Sequence, residues 1–297
     1  MVELRDIEIF LTLAEELHFG RAAARLHVSP ARVSQAIKKQ ERMVGAPLFE
    51  RTSRKVMLTV LGERLRADLR PIYQGLLDSL ERTRLAALGK TQMLRVGTIA
   101  SNAYDLRPYW QTFRARHPEV DLRIRHSPFN DAFDPLRNGE IDALITWLPV
   151  EESDLTVGPV VHIEPLMMVV SPDSELASRE TVSLETLADR AVLHGTGNPE
   201  YYEDAFIPFF TPRGQRVTRH AKRIGDLEDI FNLVGTGEAV HLLGEHAVRY
   251  HVRPDIVYLP VRDGAMLRWA LVWRTDREND LIRALAQAVR DTGTLRL

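Results

Sequence analysis

Apolar residues at Leu4, Ile7, Phe10, Leu11, Leu13, Ala14 and Leu17 recur at helical spacing and predict a first helix. Gly20 breaks the pattern, and Arg21 to His27 predict a second helix with Ala22, Ala23 and Leu26 facing inward. Ser29 suits an N-cap with Pro30 in the first turn, so a third helix is expected to about Val44, burying Val33, Ile37 and Met43 and ending at Gly45. Leu48 to Leu58 reads as two short strands around Thr52-Ser53-Arg54. Thr59 is placed to cap a long helix, although the reciprocal capping box is not met, because Gly62 holds its third position and Glu63 comes one residue late. Leu61, Leu65, Leu69, Ile72, Leu76, Leu80 and Leu88 then mark one stripe. A helix over 60–88 would be ~43 Å long. With a single apolar stripe and no core of its own it needs a partner helix, and Pro71 is expected to kink or divide it.

After a linker at Gly89-Lys90-Thr91-Gln92 the period changes. Short apolar runs at Leu94–Val96, 120–125, 141–147, 166–170, 191–194, 217–223, 240–243, 256–261 and 266–274 predict strands. Helices are expected between them at about 103–116, 133–138, 184–188, 201–210, 227–236 and 280–290. Strands alternating with helices imply an α/β domain with mainly parallel sheets.

Charge adds what the pattern leaves out. Residues 21–58 hold nine Lys/Arg against two Asp/Glu, whereas the other 259 residues hold 30 against 39. A basic head on an acidic body points to a polyanion at one end, and double-stranded DNA is the obvious one. The formal net charge of -2 hides this polarity. At 297 residues the chain exceeds one small domain. No apolar run reaches the roughly 20 residues that span a bilayer, and the charged start Met1-Val2-Glu3-Leu4-Arg5-Asp6 does not read as a signal peptide. A cytoplasmic protein with no membrane partner is expected. The absence of cysteine excludes disulfides and thiolate metal sites and fits a reducing compartment.

Glu15-Glu16-Leu17-His18-Phe19-Gly20-Arg21-Ala22-Ala23, Pro47-Leu48-Phe49-Glu50-Arg51 and Leu58-Thr59-x-x-Gly62 resemble signatures of the LysR-type transcriptional regulators. Gly139-Glu140-Ile141-Asp142-Ala143 and Leu233-Val234-Gly235-Thr236-Gly237-Glu238-Ala239 sit where that family has similar strings. The resemblance implies an N-terminal winged helix-turn-helix over 1–59, a dimerising linker helix over 60–90, and an effector-binding domain over 91–297. That last domain would be two-lobed and similar to type 2 periplasmic binding proteins, with lobe one at 91–163 and 268–297 and lobe two at 164–267. The crossovers would lie near Ile163-Glu164-Pro165 and Ala265-Met266-Leu267. Such a protein would be a homodimer or homotetramer that binds DNA under the control of a small-molecule effector and works with RNA polymerase. One departure stands out: the family often begins its third helix Gln-Pro and places Arg where this chain has Gln35, and here proline arrives one place early, at Pro30.

The N-terminal residues of a recognition helix read base edges in the major groove. Pro30, Ala31, Ser34 and Gln35 are best placed for that, Gln35 by pairing with adenine and the first two by apolar contact with thymine methyls. Arg32 and Lys38 are expected at phosphates, as is Arg21 at the start of the second helix. Arg51, Arg54 and Lys55 on the wing are expected at phosphates or in a narrow minor groove.

In the second half, a ligand is expected in a cleft at the C-terminal ends of strands, near helix N-termini. The resemblance places a ligand-binding hydroxyl at Ser101, beside Asn102. The second expected hydroxyl is replaced by Phe129, in the loop Pro128-Phe129-Asn130. With Trp147, Thr196, Asn198 and Tyr201 these residues suggest a mixed aromatic and polar pocket. Phe129 favours a bulkier or flatter ligand, or a smaller pocket, over a simple carboxylate.

Two other classes of function were weighed. Gly195-Thr196-Gly197-Asn198 and Gly235-Thr236-Gly237-Glu238 lack the third glycine of a dinucleotide loop. His241-Leu242-Leu243-Gly244-Glu245-His246 has one residue too many for an inverted zinc motif. No enzyme, cofactor or metal site is therefore expected. A purely architectural DNA-binding role would leave the long α/β half without a purpose.

Overall fold

The computed structural model describes residues 3–51, 56–87, 89–222 and 224–296. The chain forms two compact units, Met1–Leu88 and Gly89–Leu297.

The first unit holds α1 (Leu4–Glu16), α2 (Phe19–Arg25), α3 (Pro30–Val44), the strands β1 (Phe49–Arg51) and β2 (Val56–Leu58), and α4 (Val60–Ala87). Its core is built from Phe10, Leu13, Ala22, Val33, Ile37 and Leu48 with their neighbours, and Phe10 meets Phe49 edge to face at 5.6 Å. The break between α1 and α2 differs from expectation. Leu17, not Gly20, closes α1 in the left-handed region (φ 45), and Gly20 lies inside α2. His18 begins α2, its Nδ1 accepting the Arg21 N–H at 3.1 Å. Ser29 Oγ accepts the Arg32 N–H at 3.2 Å, and Gly45 ends α3 at φ 81. β1 and β2 pair antiparallel, Phe49 opposite Leu58.

Thr59 Oγ1 accepts the Gly62 N–H at 3.0 Å and donates to the Pro47 carbonyl at 2.9 Å, so one hydroxyl both caps α4 and fastens it to the wing. Gly62 is required by close approach: a Cβ there would stand 2.1 Å from the Leu48 carbonyl oxygen. α4 runs through Pro71 undivided. It is also not wholly without a core, because Leu65, Leu69 and Tyr73 pack on the head. Ile72, Leu76, Leu77 and Leu80 stay exposed.

In the second unit β3 (Gln92–Thr98), α5 (Arg107–Arg116), β4 (Val120–His126), α6 (Asp134–Arg137), β5 (Ala143–Trp147) and β6 (Leu155–Glu164) come first. Next are β7 (Leu166–Val170), β8 (Ala191–Val192), α7 (Glu200–Asp204), β9 (Thr218–Arg219), α8 (Leu227–Gly235), β10 (His241–Gly244), α9 (His246–Tyr250) and β11 (Val257–Pro260). β12 (Leu267–Arg274), α10 (Asp280–Thr292) and β13 (Leu295–Arg296) close the chain. One sheet has the order β13-β6-β12-β5-β3-β4 and another β10-β7-β11, with β8 and β9 paired separately.

The six-stranded sheet is mixed and the three-stranded sheet wholly antiparallel, so the sheets are not mainly parallel. β12 runs antiparallel to both neighbours, and β7 to both of its own. The long strand β6 was absent from the sequence pattern because Gly158 and Pro159 interrupt it. Both have a place: the pairing of β6 with β12 is irregular nearby, as proline in a strand demands. A Cβ on Gly158 would meet the Trp273 ring at 2.3 Å. Only Pro165 separates β6 in the first sheet from β7 in the second. The chain returns between β11 and β12, and Leu267 pairs with Glu164, so the two crossings lie side by side.

Candidate functional sites: a DNA-facing helix and an interlobe cavity

On α3, Pro30, Ala31, Gln35 and Lys38 are exposed and Ser34 is half-buried, which puts them on one outward stripe. Among the described residues no side chain pairs with the Gln35 amide or the Lys38 ammonium. The arginines chosen from sequence stand differently. Arg32 donates to Asp6 at 2.9 Å, and Lys39 reaches the same carboxylate at 2.7 Å. Burial pushes the Asp6 carboxyl up, but the Lys39 and Arg32 hydrogen bonds outweigh that and hold it below the usual carboxylate range. Arg32 therefore serves the join between α1 and α3. Arg21 bonds Glu16 at 3.2 Å. Arg51 pairs with Glu41 at 2.9 Å and lies over the Phe19 ring at 4.9 Å. A phosphate would have to compete with these partners. Arg54 and Lys55 lie outside the described residues.

The second unit holds a partly open cavity of about 160 Å3 between its two sheets. Residues just after β3 and β4 and at the end of β5 form one side, and α7, the start of α8, β10 and α9 form the other. Of the residues chosen from sequence, Ser101, Phe129, Trp147 and Asn198 line it. Trp147 is mainly a core residue: it stacks on Tyr202 at 4.2 Å and donates its indole N–H to the Tyr202 carbonyl at 3.0 Å.

The other four chosen residues are not in the cavity wall, and three of them tie its rim. Asn130 donates to the carbonyls of Ile224 (3.0 Å) and Gly225 (2.9 Å) and accepts the Thr196 N–H at 2.7 Å. Thr196 takes part through its backbone, its carbonyl also accepting from the Asp131 N–H at 3.1 Å. Tyr201 donates to Glu152 and accepts from the Glu151 N–H. Asn198 adds to the rim from the wall, donating to the Phe129 carbonyl at 2.8 Å and accepting from the Ala132 N–H at 3.0 Å. Asn102, the fourth, is fully buried, its amide 3.3 Å from His162 Nε2.

His162 belongs to a polar cluster at the crossings that sequence reasoning did not find. Glu164, with no exposed surface, accepts the His246 backbone N–H at 2.8 Å and the His246 Nδ1–H at 2.8 Å. His162 Nε2 stands 3.6 Å away. Burial opposes the charge on Glu164, yet the His162 and His246 hydrogen bonds overcome it and bring the carboxyl down to about 2. Trp269 is stacked on His162 at 5.3 Å and touched edge-on by His246. His246 also lines the cavity, with His126, His241 and His251. Burial brings His241 down to about 4, against the opposing Leu193 carbonyl bond, so it is neutral at ordinary pH. The sequence had shown His241 and His246 only as a failed zinc motif. The available signal was their position at either end of a strand-to-helix junction. Among the described residues no group of three or more His, Cys, Asp or Glu is placed to hold a metal ion, and no helix is long and apolar enough to cross a membrane.

A winged helix-turn-helix joined to a two-lobed α/β body defines a DNA-binding regulator with a separate effector-binding domain. A family model described as the LysR substrate binding domain matches residues 88–294, and the bacterial regulatory helix-turn-helix protein, lysR family, matches residues 4–63; the chain belongs to the LysR family. It is 32% identical over 286 residues to the uncharacterized HTH-type transcriptional regulator YnfL of Escherichia coli (strain K12), covering 93% of this chain and 94% of that protein. It is 28% identical over 287 residues to the HTH-type transcriptional regulator AlsR of Bacillus subtilis (strain 168), covering 95% and 93%. The fold matches CbnR, a LysR family transcriptional regulator, with a TM-score of 0.63 at 20% identity, covering 99% and 100%. CbnR complexed with its target DNA matches with a TM-score of 0.62 at 21% identity, covering 98% and 100%.

Proposed function

We propose that α3 enters the major groove through Pro30, Ala31, Ser34 and Gln35, and that two or four copies act together in the cytoplasm on a two-fold-related site. A small molecule in the interlobe cavity shifts the balance between arrangements of the subunits. Its effect on RNA polymerase follows from that shift. Such a ligand must bind one arrangement better than the other. The cavity carries this reading: it lies between the two lobes, and its rim is tied by side-chain hydrogen bonds from both.

Thermal shift of the full chain against a metabolite panel tests the effector, since a ligand that binds only the folded state raises its midpoint. A panel member that raises the midpoint yet leaves every operator contact in a footprint unchanged would refute the coupling. On the DNA side, Gln35→Ala is expected to change which sequences are preferred. Lys38→Ala is expected to weaken all duplexes alike and flatten the dependence of affinity on salt by about one unit of slope. An unchanged salt slope would remove Lys38 from the phosphate contacts.

A further inference from the structure

The chemistry of the cavity narrows what it accepts; this inference rests on the reading of the cavity as the effector site. No Lys or Arg is among the described residues that line it. Two carboxylates do: Glu203, paired with Arg219 at 3.3 Å, and Asp226. The N-terminus of α8 faces the cavity and would ordinarily attract an anion, but Asp226 already occupies it, accepting the Asp229 N–H at 3.0 Å. The Gly225 N–H beside it is taken by the Asp229 carboxylate at 2.8 Å. His246 is engaged through Nδ1 by the Glu164 carboxylate.

What the cavity offers instead is neutral. The His241 Nδ1–H donates to the Leu193 carbonyl at 3.2 Å, because a carbonyl can only accept. That fixes the tautomer and leaves Nε2 as a lone-pair acceptor on a cavity-lining ring. Trp269 is also in the wall, with its indole nitrogen sealed from the free volume. Phe129, Trp147 and Phe206 supply flat apolar surface. The free volume of about 160 Å3 is close to the roughly 150 Å3 of an apolar cavity that takes up one benzene ring.

We propose that the effector is an uncharged single-ring aromatic molecule bearing a hydroxyl group, of the phenol class, whose O–H is received by His241 Nε2. A hydroxyl can donate to His241 Nε2, which neither a carboxylate nor a hydrocarbon can do. An aromatic carboxylate would lose its hydration with no cation among the described lining residues to replace it. A bare hydrocarbon would leave His241 Nε2 without a donor.

Isothermal titration of the full chain with phenol, toluene and benzoate at neutral pH tests this, in the wild type and in His241→Phe. Phenol is expected to bind the wild type at least tenfold more tightly than benzoate and several-fold more tightly than toluene, quenching or shifting tryptophan emission through Trp147 and Trp269. In His241→Phe the preference for phenol over toluene should fall to within about twofold while toluene still binds, which shows that the cavity persists. Benzoate binding as tightly as phenol overturns the ligand class but leaves the effector cavity standing. Failure of all three rings to bind the wild type also overturns the class, and the metabolite panel then judges the cavity separately. An undiminished phenol preference in His241→Phe overturns the role of His241.

Discussion

Replacing Glu164 by Leu removes the acceptor at the centre of the crossing cluster. The carboxylate is fully buried and receives two N–H groups of one residue, the backbone and Nδ1 of His246, both at 2.8 Å. Its loss strands two buried N–H donors, and at roughly 1–3 kcal/mol for each buried donor left without an acceptor the cost is about 4 kcal/mol. Glu164→Gln keeps the shape and one acceptor oxygen, and the imidazole can adopt its other tautomer to accept from the amide, so about 1–2 kcal/mol is expected. Glu164→Leu with His246→Leu should recover about half of the single-variant loss, since the imidazole no longer needs an acceptor but the backbone N–H still does. Urea unfolding followed by tryptophan fluorescence reads this cleanly. All four tryptophans, Trp110, Trp147, Trp269 and Trp273, lie in the second unit, so the head is silent. With a slope of roughly 2 kcal/mol per molar urea, the Leu variant's midpoint should fall by roughly 2 M. A Glu164→Leu protein within about 0.5 kcal/mol of wild type would refute the argument that this cluster holds the crossings.

Two further outcomes follow from packing and titration. Gly62→Ala should destabilise the head by roughly 1–3 kcal/mol through overpacking against Leu48, although Ala is the better helix former by about 1 kcal/mol; hydrogen exchange of the α1–α3 amides in the full chain measures it, and stabilisation would show that the wing yields. His241 is lowered to about 4 by burial, so the unfolded chain binds the extra proton first as pH falls. Its contribution is complete above the unfolded value near 6.5 and is lost as pH drops towards 4, up to roughly 3 kcal/mol, with His162 and His251 shifted the same way. Tryptophan-detected unfolding of His241→Gln should accordingly depend less steeply on pH between 6.5 and 4.5 than wild type, and equal slopes would contradict the assignment.

The elements of the head were legible because each carries its own punctuation. Ser29-Pro30 starts α3, Gly45 stops it and Thr59 caps α4, and these are local hydrogen-bond arguments that need no tertiary knowledge. Gly20 misled for the same reason: a glycine reads as a break, but Leu17 takes the left-handed turn instead. β6 was invisible because its Gly158 and Pro159 answer to Trp273 and to the irregular pairing with β12, both distant in sequence. The cavity was half legible. Ser101 and Phe129 follow strands and Trp147 ends one, where a loop-end rule finds them. His241 and Trp269 sit within strands and face the cavity only because β10 and β12 come from different sheets that meet at the crossings.

The residues that the sequence pointed to outside the wall have a mechanical meaning when set beside the buried cluster. The bonds of Asn130, Asn198 and Tyr201 and the 2.7 Å pair between Arg249 and Asp105 join the lobes around the rim, and most are open to water on one side. Each is therefore worth about 1 kcal/mol or less, because water can replace the lost partner. The Glu164–His246 pair behind them is sealed from solvent and has no such replacement. Separation of the lobes is thus cheap at the rim and costly at the crossings. Two rigid sheets joined in that way swing about the crossings instead of parting from each other. A ligand that fills the space between Phe129 and His241 acts on the side where the lobes are held least firmly. On the proposed reading, its binding energy would go into the angle between them, which is the quantity a subunit would transmit to its neighbour.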